Sequence, residues 1–214
     1  MTTHVAHHFD DAEQQFEAAN LGMWLFLATE VLFFGGLFAG YAQYRYWYPE
    51  AFTAGSHHLD LVLGTINTAV LLSSSLTMAL AVHSSQTSQR RAAVRFLLGT
   101  IGLGTVFLGI KAFEYYHKFV EHLVPGRWFD LGEHASKAVS EGHVELFFSY
   151  YFAMTGLHAL HMVIGVVLLG ILTVAAYRGR FSAEYYTPVE MTGLYWHFVD
   201  IVWVFLFPLL YLIG

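Results

Sequence analysis

The chain contains no cysteine among its 214 residues, and this absence excludes several classes of protein site. Without thiols there can be no disulfide, no iron–sulfur cluster and no thiolate metal centre. Charge is also scarce, because Asp, Glu, Lys and Arg make up 12% of the residues, against about 25% in a soluble domain. The formal charge of −6 leaves no basic surface for nucleic acid.

Apolar side chains dominate instead, since 56% of the residues are hydrophobic and 17% are aromatic. They form five runs long enough to cross a hydrocarbon core of about 30 Å at about 1.5 Å per residue. The runs cover residues 21–44, 61–82, 96–116, 146–177 and 191–213. The sequence therefore predicts an all-α fold, a polytopic transmembrane bundle of five helices that forms one membrane domain over residues 21–214.

Residues 1–20 are acidic and contain several histidines, and we predict a polar N-terminal tail. They have neither the basic segment nor the cleavage site of a signal peptide. His4, His7 and His8 can bind a metal, but their loose spacing is more typical of a solvated tail. The lack of a transit signal favours a bacterial plasma membrane. After the first span, Pro49 predicts a break and a loop over 45–58.

Five spans place the two termini on opposite sides of the membrane. The short connections on the N-terminal side contain five basic residues, and the other side contains four. These are Arg90, Arg91, Arg95, Arg178 and Arg180, against Arg45, Lys118, Arg127 and Lys137. Basic residues close to span ends mark the cytoplasmic side. We therefore expect a cytoplasmic N-terminus and a C-terminus outside.

The first span contains one ionisable group, Glu30, near its middle. A charged side chain at that depth costs at least about 2.5–3.5 kcal/mol unless it has a partner. One interpretation is a proton-relay group or an anchor in a polar cleft. The other is a neutral acid hydrogen-bonded to a neighbouring helix. The residues alone leave both open.

Two further pairs lie three residues apart and so share a helix face. Lys111 and Glu114 end the third span, which predicts an ion pair within the helix or a pair that extends to the interface. His197 and Asp200 lie inside the fifth span. We predict that they bond to each other and face protein rather than lipid.

His158, His161 and His197 can in principle bind a haem or a metal. Two histidines three apart on one helix cannot bind opposite faces of one haem, so His197 would have to join one of them. The fourth span offers no carboxylate beside its histidines. Structural hydrogen bonding is therefore favoured, and ligation is the alternative. No nucleophile motif and no phosphate-binding loop is recognisable.

Four stretches resemble one protein family. They are 22–34 (GMWLFLATEVLFF), 111–116 (KAFEYY), 155–165 (TGLHALHMVIG) and 195–203 (YWHFVDIVW). Together they resemble subunit III of the haem–copper oxidases, and the likeness extends over residues 20–214. Lys111 stands where the family has glutamine. Full-length members have seven helices, and this chain corresponds to the last five, as in short bacterial forms.

The resemblance implies a cofactor-free, non-catalytic subunit of a proton-pumping cytochrome c oxidase, which stabilises subunit I and supports proton uptake. Haems and copper would lie in the partner subunits, which are subunit I, subunit II and a small subunit IV. Phospholipid would bind near Glu30 and Arg178. Seven buried polar residues would serve structure or proton uptake: Glu30, Lys111, Glu114, His158, His161, His197 and Asp200.

Other functions remain as alternatives. The chain can be the corresponding subunit of a quinol oxidase or of a nitric oxide reductase, which shares the fold. A stand-alone haem-binding cytochrome is a second class. A small transporter is disfavoured, because the sequence shows no inverted repeat and no pair of interrupted helices.

Overall fold

The computed structural model describes residues 9–127, 129–131 and 140–213. His4, His7, His8 and Lys137 lie outside these ranges. The described residues form six helices and no extended strand. The helices are α1 (Ala12–Trp47), α2 (Pro49–His57), α3 (Leu61–Gln86), α4 (Arg90–Val120), α5 (Glu141–Tyr177) and α6 (Thr187–Tyr211). All but α2 are long and apolar enough to cross a membrane, which confirms the predicted five-helix all-α class.

Helix α1 begins at Ala12, inside the stretch 1–20 that was predicted as a polar tail. Asp11 is the N-cap residue, and its carboxylate accepts a hydrogen bond of 2.8 Å from the backbone N–H of Gln14. Glu13 adds negative charge in the first turn, where the helix dipole favours it. The helix therefore continues beyond the apolar run that marked the span.

The loop predicted over residues 45–58 is wrong, because α2 occupies most of it. Pro49 ends α1 as expected, but it is the first residue of α2. Proline is well tolerated there, because its fixed φ suits the helix and the first N–H has no intrahelical partner. Sequence reasoning recognised the break but not the new helix.

The other helices likewise extend past the apolar runs. The third span was predicted over 96–116, yet α4 begins at Arg90 and ends at Val120. Only in α6 does the prediction extend too far, since the helix ends at Tyr211 rather than at residue 213. Hydropathy marks the part of a helix that suits hydrocarbon, whereas caps and polar residues determine where it ends.

Helices α3, α4, α5 and α6 form a closed four-helix ring, in which each contacts its two neighbours. Helix α1 lies outside this ring against α5 and α6, and α2 packs mainly on α5. In the most apolar stretch of each helix, 56% of α6 residues are buried but only 11% of α1 residues. Helix α6 is therefore the centre of the bundle, and α1 is its most exposed member.

Two glycines make room for a tryptophan at the centre of the ring. Trp196 of α6 is fully buried and donates a hydrogen bond of 3.1 Å from its indole N–H to Ser74 Oγ of α3. A Cβ atom added at Gly104 of α4 or at Gly165 of α5 would lie 2.8 Å from this ring. The indole thus fixes the distances between three neighbouring helices.

Contacts between connections define the two ends of the bundle. The backbone N–H of Ala183, between α5 and α6, donates to Ser88 Oγ, between α3 and α4. At the other end, the rings of Tyr48 and His143 stack with their centroids 3.7 Å apart. The arginines at the start of α4 and those after α5 therefore lie at one common end.

Candidate functional site

A buried polar cluster connects α4, α5 and α6. It consists of Lys111, Glu114, Tyr151 and Tyr211, and we call it the tetrad. Lys111 Nζ lies 3.0 Å from Glu114 Oε2, 3.1 Å from the Tyr151 hydroxyl and 2.9 Å from the Tyr211 hydroxyl. Both tyrosines donate to Glu114 Oε1. The predicted ion pair within the helix is present, but it is buried and does not extend to the interface.

The hydrogen-bond count of the tetrad is complete. The ammonium has three protons for its three partners, and each tyrosine hydroxyl accepts one bond and donates one. A charged lysine and a charged glutamate, whose carboxylate only accepts, satisfy every donor and acceptor of the tetrad. Satisfying every donor and acceptor is the condition under which a buried ion pair can be maintained.

Aromatic rings surround the lysine ammonium. Lys111 Nζ lies 4.9 Å from the ring centroid of Tyr151, 5.2 Å from Trp203, 5.4 Å from Tyr115 and 5.6 Å from Tyr211. Ring faces attract cations within about 6 Å, and the attraction is stronger away from water. This aromatic cage adds to the stabilisation of a positive charge inside the bundle.

The tetrad borders a cavity of about 330 Å³ at the end of the bundle that holds α2. Glu114 contributes to its wall, and most of the other polar lining residues are at least partly exposed. The exposed or partly exposed ones are His57, His58, Asp60, His117 and Glu121, whereas Lys118 is buried. The ion pair therefore has polar surroundings on this side.

Glu30 of α1 reaches His161 of α5, with 3.2 Å between Glu30 Oε2 and His161 Nε2. The other ring nitrogen, Nδ1, lies 2.9 Å from the Leu157 carbonyl oxygen, so it donates a proton there. His161 Nε2 then either accepts a proton from a neutral Glu30 or donates one to a charged Glu30. In both cases the two side chains share one proton. Sequence reasoning expected a partner for Glu30 but did not identify this histidine.

His158 points elsewhere, although it lies one turn from His161. Its Nε2 donates to the Val199 carbonyl oxygen of α6 over 3.1 Å, and its ring packs on Phe107 and Trp203. Its Nδ1 is buried without a hydrogen-bond partner among the described residues. The two histidines thus bind different helices rather than one common ligand.

The predicted bond between His197 and Asp200 is not formed. His197 Nδ1 is 4.0 Å from Asp200 Oδ2 but 2.8 Å from Ser75 Oγ of α3. Neither Asp200 oxygen makes a hydrogen bond that meets normal geometry within the described chain, although Ser75 also lies beside this carboxyl. Residues three apart share a face, but here α3 offers His197 a better-placed partner. Serine and carboxylate approach the same nitrogen, so the group is not a catalytic triad.

Basic side chains gather at the opposite end of the bundle from α2. A cavity of about 390 Å³ there is lined by Arg90, Arg91, Val94, Arg95 and Tyr177. The Arg90 guanidinium lies 5.6 Å from the centroid of the Tyr177 ring. Arg178, which the resemblance suggested for lipid binding, is exposed at the end of α5.

The predicted polar residues occupy four separate places along the bundle: the tetrad, the Glu30–His161 pair, the Ser75–His197–Asp200 group, and His158 by itself. Within the described ranges, no three His, Asp or Glu side chains converge in a way that could bind a metal ion. Tyr151, Tyr211, Ser75 and Trp203 complete these groups, and sequence reasoning missed them. Each of the five spans contains at least two residues that are tyrosine or serine, so no spacing singled these out.

The family model for cytochrome c oxidase subunit III matches residues 2–122 and 132–214, which is nearly the whole chain. The chain belongs to this family. It is 32% identical to cytochrome c oxidase subunit 3 of Thermostichus vulcanus, over 95% of this chain and 92% of that protein. A cytochrome bo(3) ubiquinol oxidase subunit 3 of Pseudomonas aeruginosa is 29% identical, over 98% and 92%.

The subunit III family also includes longer proteins. Cytochrome c oxidase subunit 3 of Loxodonta africana is 33% identical over 92% of this chain, which spans 70% of that relative. Lys111, at the position where the family resemblance has glutamine, now has a physical explanation. The aromatic cage, two hydroxyls and the Glu114 carboxylate supply the partners that an ammonium needs in this membrane protein.

Proposed function

We propose that this chain is the third subunit of a haem–copper terminal oxidase, without cofactors or catalytic residues of its own. The observation that carries the proposal is the family match along nearly the whole chain, together with relatives named as oxidase subunits. Its part would be to stabilise subunit I, which holds the haems and copper. Subunit II and a small subunit IV would complete the assembly.

The contacts of the polar residues support a structural role for this chain. Lys111 and Glu114 bind tyrosines of α5 and α6, and His158 binds a backbone carbonyl of α6. Each of these groups connects helices. Interhelical hydrogen bonds of this kind contribute to packing inside a bilayer, where the hydrophobic effect does not drive helices together.

The Glu30–His161 pair supports a role for this chain in proton uptake. The pair holds one shared proton, and Glu30 is partly exposed on the peripheral helix α1. A carboxyl–imidazole pair can accept or release that proton with little rearrangement. In the assembled oxidase it would buffer protons close to the neighbouring subunit.

Phospholipid would bind at two places, the arginine-lined cavity and the exposed side of α1 around Glu30. Guanidinium groups form charge-assisted bonds with phosphate, and Arg90, Arg91 and Arg95 line one cavity at the membrane end. Arg178 follows Tyr177 of the same cavity. The exposed apolar side of α1 around Glu30 would meet the acyl chains.

The electron donor would be cytochrome c or quinol. The relative from Pseudomonas aeruginosa is named a ubiquinol oxidase subunit and is similar to this chain at nearly the same identity as the cytochrome c oxidase relatives. This keeps the quinol oxidase as a second candidate, beside the nitric oxide reductase. We place the chain in a bacterial plasma membrane with the N-terminus in the cytoplasm.

Co-purification tests the proposal. The tagged chain is extracted in mild detergent, its partners and retained lipids are identified by mass spectrometry, and a reduced-minus-oxidised spectrum is recorded. We expect a large subunit with haem and copper, and no haem spectrum from the chain alone. The type of that subunit identifies the donor. If the chain purifies alone with a haem spectrum, the proposal is wrong and His158, His161 and His197 become candidate ligands.

A further inference from the structure

The Ser75–His197–Asp200 group lies at the surface of the ring, about halfway along α3 and α6. His197 is the eleventh of the 25 residues of α6, and Ser75 is the fifteenth of the 26 of α3. The His197 side chain is 33% exposed, although the Asp200 side chain behind it is only 4% exposed. An imidazole edge therefore faces outward at the depth where a bilayer contains only hydrocarbon.

Hydrogen bonds within the described part of the chain leave several polar atoms of this group without partners. His197 Nδ1 is bonded to Ser75. Among the residues that the structure describes, Nε2 has no hydrogen-bond partner. Both oxygens of Asp200 are also buried without a hydrogen bond of normal geometry. Whichever way the Ser75 bond is oriented, Nε2 is left as a donor or an acceptor facing outward. Against lipid tails, such a group would be costly.

The surface around His197 is apolar and forms one continuous face. On α6, Ile201 and Phe205 follow His197 at spacings of four and eight residues, and both are exposed. On α3, Leu72 and Leu76 flank Ser75 and are likewise exposed. The Ser75–His197 bond joins the two stripes. Helix α1 makes no contact with α3, so it leaves this face uncovered.

We infer that the α3/α6 face, centred on His197, is the surface that binds a transmembrane helix of a partner subunit. That helix is apolar and has one hydroxyl, amide or carboxyl side chain at mid-depth, which bonds His197 Nε2. Lipid tails would cover the leucines equally well, but they cannot bond an imidazole. The inference rests on the proposed function, and it adds which face of the chain meets the partner.

Photo-crosslinking in membranes that contain the complete oxidase tests the inference. Benzoylphenylalanine replaces Leu76 or Ile201 on the face, and Ile171 on the exposed side of α5 as a matched apolar control. We expect adducts with a partner subunit from positions 76 and 201, at a higher yield than from position 171. Adducts only with lipid or with a second copy, or yields no higher than the control, overturn the inference.

A second measurement tests the hydrogen bond itself. His197→Leu should weaken retention of the partner about three- to tenfold, the change expected for one interhelical hydrogen bond in a membrane. His197→Gln should retain most of it, and Ile201→Leu should match the wild type. Equal retention by His197→Leu and Ile201→Leu overturns the inference. Wild-type chain that never purifies with a haem-bearing subunit instead overturns the proposed function.

Discussion

Lys111 shows how a charged side chain can be accommodated inside a membrane bundle. Its ammonium binds a carboxylate and two phenol hydroxyls and is surrounded by four aromatic rings. Removing one charge from such a pair leaves the other buried without a partner. Removing both leaves no unpaired charge, but it takes away the Lys111 and Glu114 partners of the two tyrosine hydroxyls.

Lys111→Met should lower the stability of the purified chain or complex by about 3–5 kcal/mol, because Glu114 is left charged and buried. The double variant Lys111→Met/Glu114→Leu should recover part of that loss, because no unpaired charge remains although the hydroxyls of Tyr151 and Tyr211 lose these partners. Thermal unfolding in detergent, followed by circular dichroism, measures both. Lys118, whose partner Glu121 is about half exposed, gives the control Lys118→Met, which should cost much less. A double variant less stable than Lys111→Met would contradict the charge argument.

The individual polar residues were largely predictable, but their partners were not. Isolated charges in apolar runs identify Glu30, Lys111 and Asp200 directly, because their burial is costly. Spacing found the Lys111–Glu114 pair, whose members lie on one helix. The same rule failed for His197 and Asp200, because Ser75 is 122 residues away in the sequence. Contacts across helices depend on rotation and packing angle, which the periodicity of one helix does not determine.

At the scale of an element, α1 is attached to the outside of the ring partly through polar contacts. It lies outside the ring and its apolar stretch is mostly exposed, yet it meets α5 through Glu30 and His161. The Tyr41 hydroxyl also donates to the Leu209 carbonyl oxygen of α6 over 2.7 Å. Aromatic packing also attaches α1, since Phe34 lies against Phe198 of α6 and Tyr41 against Phe147 of α5. The polar contacts add to this packing.

Glu30→Leu should reduce the free energy that attaches α1 to the bundle by about 0.6–2 kcal/mol, which is the usual contribution of a hydrogen bond between membrane helices. Glu30→Gln should assemble normally, because its amide can still donate to His161 Nε2. Hydrogen exchange of the α1 backbone, read by mass spectrometry, measures the change. Thr29→Ala is the control, since the Thr29 hydroxyl bonds only within its own helix. Loss of assembly with Gln but not with Asp would show that Glu30 acts in its charged form.

The contact between α5 and α6 depends on the absence of a side chain at Gly165. An added Cβ would lie 2.8 Å from the Trp196 ring, which has no free space because it is also packed against Gly104. Gly165→Ala should therefore cost about 1–3 kcal/mol through overpacking. Gly170→Ala, on the same helix but with nothing within 4 Å, should be neutral or slightly stabilising. Thermal unfolding compares the stabilities of the two variants. An equal change in both would show that helix propensity, rather than crowding against Trp196, determines the effect.

For the whole molecule, hydropathy predicted the number of spanning helices because each needs a long apolar run whatever its neighbours are. The arrangement of the helices was beyond that reasoning. Five similar apolar runs do not show that α6 lies at the centre or that α1 stays outside the ring. Those positions follow from where large side chains meet small ones, as Trp196 meets Gly104 and Gly165.

Orientation in the membrane is the remaining property of the whole chain, and the missing cysteines make it measurable. Arg90, Arg91, Arg95, Arg178 and Arg180 lie at one end of the bundle, which the Ser88–Ala183 contact holds together. From the positive-inside rule we expect that end to lie in the cytoplasm. Single substitutions Ala183→Cys and Ser140→Cys put one thiol at each end, both at exposed positions. In spheroplasts, a membrane-impermeant maleimide should label Cys only at position 140, and lysis should expose position 183. The unsubstituted chain provides an unlabelled background, because it has no thiol of its own. Labelling of position 183 alone would reverse the orientation, and with it the side on which the arginine-lined cavity meets lipid headgroups.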